Sequence, residues 1–241
     1  MNFTDSPYEA EMKKVPFVVL PLSEKQLFRK ELIYSESCKQ CLYGKKRKEK
    51  CKWIECPYLK ERIKSKEITL LEMIAPIIYL TQDKILVRRM MKLYKEIKGG
   101  AVSDMFRNEI HRKNFESVIA KYEKQGAVLT NRFFAALFLV TADSFLWRQT
   151  KEFVRPNVID LSEVDIRGID TDGYLLYKAA KDMMFKTSKV TASELADKMI
   201  TNEKCFKAIM NAIIIARYGK DTIKLDMSPR AVSKEMVDVF E

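Results

Sequence analysis

The feature that most narrows what this chain can fold into is the run from Cys38 to Cys56. It holds four of the five cysteines in 241 residues, spaced C-x2-C-x9-C-x4-C. The first pair, Cys38 and Cys41, has the spacing of a knuckle, whose tight turn brings two thiolates to one metal ion. Cys51 and Cys56 complete a tetrahedral four-sulfur set with no open coordination position, so the expected metal is zinc in a structural role. An iron–sulfur cluster also takes four thiolates, and free thiols are the remaining alternative. Disulfides need an oxidising compartment. Met1 to Lys14 is polar and charged, and the apolar run Phe17-Val-Val-Leu20 is too short for a signal core. No apolar run approaches the roughly 20 residues that span a bilayer. The expected location is therefore the cytoplasm.

Charge marks the same stretch. The formal net charge is +11, and residues 39–66 alone carry eleven Lys/Arg against three Glu, or +8. Residues 101–241 hold 22 basic and 20 acidic side chains, close to balance. Zinc held by four thiolates has a net charge of −2, and two or three neighbouring cations suffice to stabilise it and lower the thiol pKa values. The excess exceeds that need, which favours a phosphate-contacting surface. Lys45, Lys46, Arg47, Lys48, Lys50 and Lys52 would supply charge, while Tyr43 and Trp53 are available to stack on an unpaired base. The plainer alternative makes Tyr43 and Trp53 the small core of a zinc module, and Lys60 to Lys66 a solvated helix face.

The rest of the chain reads as mainly α: a helical, bundle-like protein with the zinc knuckle in its N-terminal half. Seven Gly and seven Pro are few for the length, and 47% apolar content supports a sizeable core. Val15 to Leu20 is a strand candidate bounded by prolines, and Ser23 to Tyr34 a short capped helix. Pro57 opens a basic helical segment, and Ile68 to Ile78 should be buried and interrupted at Pro76. Thr81 is expected to cap a helix whose Leu86, Met90, Leu93 and Ile97 recur on one face, with Arg88, Arg89, Lys92 and Lys95 largely on the polar side. Gly99-Gly100 then divides an N-terminal region, 1–100 with the knuckle at 38–56, from a helical domain, 101–241.

In the second half, Ser103 or Asn108 caps a helix with Phe115, Val118, Ile119 and Tyr122 on its apolar side. Asn131 starts another, carrying Phe134, Leu137, Phe138 and Thr141, with Leu146 and Trp147 just after Asp143-Ser144. Ile159 to Ile169 lacks a 3.6 repeat and reads as an extended connection or short strand. Thr171 or Asp172 caps a helix with Tyr174, Leu175, Ala179 and Met183. Thr191 with Glu194 forms a capping box for a helix through Met199. Asn202 starts a long helix with Phe206, Ile209, Ile213 and Ala216 inward, ending at Gly219. Ser228-Pro229 opens a terminal amphipathic helix with Val232, Met236, Val239 and Phe240.

Several of these segments together resemble small helical proteins of unknown function encoded by phages, plasmids and integrative elements of Gram-positive bacteria. They are the Phe115 helix, Phe133-Phe-Ala-Ala-Leu-Phe-Leu with Trp147 after it, Gly173-Tyr-Leu-Leu-Tyr-Lys-Ala-Ala-Lys and Phe206-Lys-Ala-Ile-Met-Asn-Ala-Ile. The resemblance spans about residues 106–220 at mainly core positions. The knuckle is similar to cysteine-rich segments of other mobile-element proteins, with a longer and more basic insert between Cys41 and Cys51. This resemblance implies an accessory role in a mobile element or phage, and no reaction.

Enzyme chemistry finds little support in the residue inventory. His111 is the only histidine, which removes most designs pairing His with Ser or Cys. It is expected to be a partly exposed ordinary residue. Asp165, Asp170 and Asp172 are near one another but miss the calcium-loop spacing, and a helix cap plus turn explains them. Gly99-Gly100 lacks the further glycines and Lys of a phosphate loop. Cys205 is expected to be a small core residue. Two function classes remain. One is a nucleic-acid-binding accessory protein, contacting RNA or DNA through the knuckle. The other is a protein-binding antagonist or adaptor that engages a nucleic-acid-bound host protein complex, as an inhibitor of a host defence nuclease would.

Overall fold

The segment Asn131–Thr141 reads Asn-Arg-Phe-Phe-Ala-Ala-Leu-Phe-Leu-Val-Thr, apolar around its whole circumference, and a helix of that kind must be surrounded. The computed structural model, which describes residues 63–64, 73–74, 77–78, 81–98, 105–187 and 189–224, places it at the centre. Every residue from Phe133 to Thr141 is buried. Around this helix, named α3 below, the chain wraps in the order α1 (Lys84–Lys98), α2 (Glu109–Lys124), α3, α4 (Ser144–Thr150), then a 3-10 turn (Lys151–Phe153). An antiparallel hairpin follows, β1 (Val154–Arg155) with β2 (Val158–Ile159), and then α5 (Thr171–Phe185), α6 (Ala192–Ala196), α7 (Glu203–Tyr218) and a closing 3-10 turn (Lys220–Lys224). The described residues are thus mainly helical, as the sparse Gly and Pro imply.

α5 and α7 make the broadest contacts with α3, while α2, α4 and β2 cover its remaining sides. Phe133, Phe138 and Phe206 are fully buried, and each ring contributes roughly 1.5–3 kcal/mol relative to exposure. The core takes in Ile63, Met73, Ile74, Ile77, Ile78, Leu86, Met90 and Leu93 together with residues after Met105, so it draws on both sides of Gly99-Gly100. Leu86, Met90 and Leu93 face inward as their spacing predicts, and so do Phe115, Ile119 and Tyr122.

Helix starts follow side-chain caps. Asn108 accepts from His111 N, Thr130 from Phe133 N, Asp143 from Leu146 N and Asn202 from Cys205 N. The Thr191–Glu194 capping box forms as expected, but α6 ends at Ala196 instead of reaching Met199, which is 92% exposed. Two caps differ from expectation. Asp83 Oδ1 accepts from Ile85 N and Leu86 N at 2.9 and 2.8 Å, while the Thr81 hydroxyl donates backward to Ile77 O at 2.7 Å. Asp170, and neither Thr171 nor Asp172 as expected, caps α5 by accepting from Gly173 N at 2.7 Å. In both cases a carboxylate outcompetes a hydroxyl, because it accepts amide protons more strongly and favours the positive helix end.

The segment after β2 is irregular, matching the expected extended connection, and it sends Ile159, Leu161 and Val164 inward. The hairpin before it was not foreseen. Its turn rests on Asn157, held at φ 62°, whose side chain donates to Val128 O at 2.7 Å and accepts from Thr130 N at 2.6 Å. Asn is among the few residues that tolerate this left-handed conformation. Pro156-Asn157 was the legible signal.

Candidate nucleic-acid interface

The residues expected to bind metal, Cys38, Cys41, Cys51 and Cys56, lie outside the described residues. So do Tyr43, Lys45, Lys46, Arg47, Lys48, Lys50, Lys52 and Trp53, and the terminal segment 229–240. Among the described residues, no group of three or more His, Cys, Asp or Glu is placed to hold a metal ion. Ile63, seven residues after Cys56, is buried at 3% exposure and belongs to the core. What the structure details is the surface that follows the four-cysteine segment in sequence, beginning with α1.

α1 has two distinct sides. A helix advances 100° and 1.5 Å per residue, so Lys84, Arg88 and Lys92 fall within an arc of about 80° and a rise of about 12 Å. All three are exposed, opposite the buried Leu86, Met90 and Leu93. Glu96 is the helix's only acidic residue, and the first turn has none.

Arg89 departs from the expected polar side. It is buried at 3% exposure, on the flank where α1 meets α6. One guanidinium nitrogen, Nη1, donates to Leu195 O at 2.6 Å and Asp197 O at 3.2 Å, and Nη2 donates to Thr201 O. Its plane lies 4.3 Å from the Phe206 ring centroid, and Glu203 stands 3.9 Å from Nε. Leu195 O lies in the last turn of α6 and Asp197 O, which also accepts from Thr201 N, lies just past it, so Arg89 works as a C-terminal cap supplied from another helix and ties in the turn that follows. Burial lowers its pKa from the ordinary arginine value, offset in part by Glu203. The partners sit more than one hundred residues away in sequence, and only the position of Arg89 beside the apolar arc hinted at burial.

The lone histidine also differs from expectation. His111 is buried at 1% exposure, between Phe106 and Phe138, with ring centroids 4.9 and 4.5 Å away. Nε2 lies 2.8 Å from Phe138 O, and Nδ1 accepts from Arg107 N at 3.1 Å. This pattern fits a neutral ring with its proton on Nε2. Phe138 O is freed because Ala142 N turns to Leu139 O, so His111 satisfies a terminal carbonyl of α3. Both nitrogens are engaged in structure.

The other reactive side chains are likewise committed. Cys205 is fully buried, as expected, and burial together with the Asp172 carboxylate pushes its thiol up to about 12, leaving it protonated. Asp165 pairs with Arg167 at 2.7 Å, which holds its carboxyl down to about 2. Asp170 caps α5, and Asp172 accepts from the Asn202 amide. These three carboxylates therefore serve separate local contacts. Among the described residues, no helix is long and apolar enough to cross a membrane. Comparison with known proteins gives no matching protein family, no similar curated protein and no similar solved structure.

Proposed function

We propose that this protein is a non-enzymatic accessory protein of a mobile element or phage that binds nucleic acid through a basic zinc knuckle. The observation that carries the reading is the concentration of charge: +8 of the total +11 falls in residues 39–66, around the four cysteines. Cys38, Cys41, Cys51 and Cys56 would hold zinc and fix the shape of the segment. Lys45, Lys46, Arg47, Lys48, Lys50 and Lys52 would contact phosphates, with Tyr43 and Trp53 stacking on an exposed base. The spacing of the four cysteines, which suits a closed ligand set, the structural use of His111 and the buried, protonated thiol of Cys205 support a non-enzymatic role.

The test is affinity capture of the tagged protein with and without nuclease, comparing wild type with a variant in which the six basic residues 45–52 are changed to Gln. Nucleic acid should be recovered with the wild type, disappear on nuclease treatment and be absent from the variant. A protein complex that survives nuclease, with equal recovery by the variant, would replace this reading with that of a protein-binding antagonist.

A further inference from the structure

We infer that the segment from Pro229 to Phe240 docks on its own chain, laying its apolar side on a patch formed by Val128, Pro156 and Val158. The inference is independent of the metal and nucleic-acid reading and concerns the other end of the chain. Val128 is 87% exposed and Val158 48% exposed, and they come from different places, the α2–α3 connection and the β1–β2 hairpin. Asn157 brings the two together, because its side chain donates to Val128 O and accepts from Thr130 N. The exposed Pro156 completes the surface. Single apolar residues on a surface are ordinary. Here the hydrogen bonds that join loop to hairpin also consume Val128 O and Thr130 N, which leaves a pre-formed surface of low polarity.

The chain leaves the described fold next to this patch. α7 ends at Tyr218, and Gly219, at φ 95°, runs so close to α3 that a methyl group on it would lie 3.1 Å from Asn131 Oδ1. Lys220 then pairs with Glu123 and lies over the Phe134 ring, and Thr222 is buried. The exit is thus tied to the last turn of α2 and the first turn of α3, the two helices that the Val128 loop joins. Residues 225–241 follow. Leu225 to Ser228 can span about 13 Å. A helix from Pro229 to Phe240 would be about 18 Å long, with Val232, Met236, Val239 and Phe240 on one side. The exposed pair Met199-Ile200 suits this segment less, since it precedes α7 and stands about 24 Å of helix away from the exit. Charge agrees with the choice. Residues 233–241 hold Glu235, Asp238 and Glu241 against Lys234 alone, while Arg155, in register with Val158, and Lys124, four residues before Val128, are exposed cations beside the patch. The nearby carboxylates are engaged, Glu123 with Lys220 and Asp160 with Ser162. A tether this short holds the segment at an effective concentration of about millimolar, so a modest apolar contact suffices.

The experiment places the photo-reactive residue p-benzoylphenylalanine at position 128 of the full-length chain, a site exposed enough to accept it. Equal amounts of unlabelled and nitrogen-15-labelled chains are mixed, irradiated, digested and mapped by mass spectrometry. Cross-links from position 128 to peptides of 229–241 within one isotopic form are expected. Met236→Asp with Val239→Asp in the same chain should cut their yield by about 10-fold or more, as the loss of two apolar contacts implies. Cross-links that join the two isotopic forms would assign the patch to a second copy and overturn the inference. Cross-links that miss 229–241, or that persist at equal yield in the double variant, overturn it as well. A second measurement needs no substitution. Amide exchange over residues 232–240 of the unmodified chain should be slower by about 10-fold or more than in a free peptide of that sequence, and equal rates contradict docking.

Discussion

Replacing Arg89 with Met tests the buried junction between α1 and the α6–α7 connection. Methionine keeps the apolar stem against Phe206 and removes the guanidinium, so the carbonyls of Leu195 and Thr201 lose its bonds, while Asp197 O retains the bond from Thr201 N. A hydrogen bond to a charged group contributes about 1.5–3 kcal/mol, so three bonds set an upper limit of about 5–9 kcal/mol. Two effects reduce it. Burying the guanidinium costs several kcal/mol, a cost the variant no longer bears. Carbonyls at the edge of the junction can also regain water once the side chain is gone. The expected loss is about 2–4 kcal/mol, which for a chain of this size lowers Tm by about 5–15 °C. Arg89→Lys should fall between wild type and Met, because one ammonium cannot reproduce the fork that spans three carbonyls. Urea unfolding followed by circular dichroism reads the difference. If Arg89→Met lies within about 0.5 kcal/mol of wild type, as for an ordinary solvent-exposed position, the junction contributes nothing and the reasoning fails.

Other expectations are narrower. Asp170→Ala should destabilise by about 0.5–2 kcal/mol through loss of the α5 cap, whereas Thr171→Ala should change little; reversed magnitudes would return the cap to Thr171. The Cys205 thiol should resist iodoacetamide in the native protein at pH 8 and react only on unfolding, as read by peptide mass mapping; rapid native labelling would contradict its burial. Because its folded pKa of about 12 lies above the unfolded value of 9.0, the folded state holds this proton more tightly. Its contribution to stability is therefore complete below pH 9 and declines from pH 9 toward 12. Cys205→Ala should flatten that alkaline decline in urea titrations, and an equally steep decline in the variant would assign it elsewhere.

Local signals were the legible ones. Asn108, Thr191 with Glu194, and Asn202 mark their helices because a cap acts over three residues, and the apolar repeat of α1 follows from helix geometry alone. Where two cap formers stand side by side, as at Asp170 and Thr171, the order of preference decides, and sequence position alone was a poor guide. Arg89 and His111 were misplaced for a different reason. Each is a polar side chain satisfying the open end of a helix remote in sequence: Leu195 to Thr201 for Arg89, and Phe138 for His111. Nothing within a few residues encodes such a partner, so local charge patterning assigns these side chains to solvent. The all-round apolar character of α3 announced its central position, yet which helices enclose it depends on packing across the whole chain. The proposed metal site is the opposite case, since the spacing and type of its four cysteines are local and belong to the sequence.

The most direct test of the account is the coordination of metal by the purified full-length chain, measured as metal content together with zinc-edge X-ray absorption. Four thiolates from Cys38, Cys41, Cys51 and Cys56 predict one zinc per chain with a first shell of four sulfur atoms at about 2.3 Å. A chain without bound metal, a shell containing nitrogen or oxygen, or iron in place of zinc would contradict the structural zinc knuckle on which the proposed charge display depends.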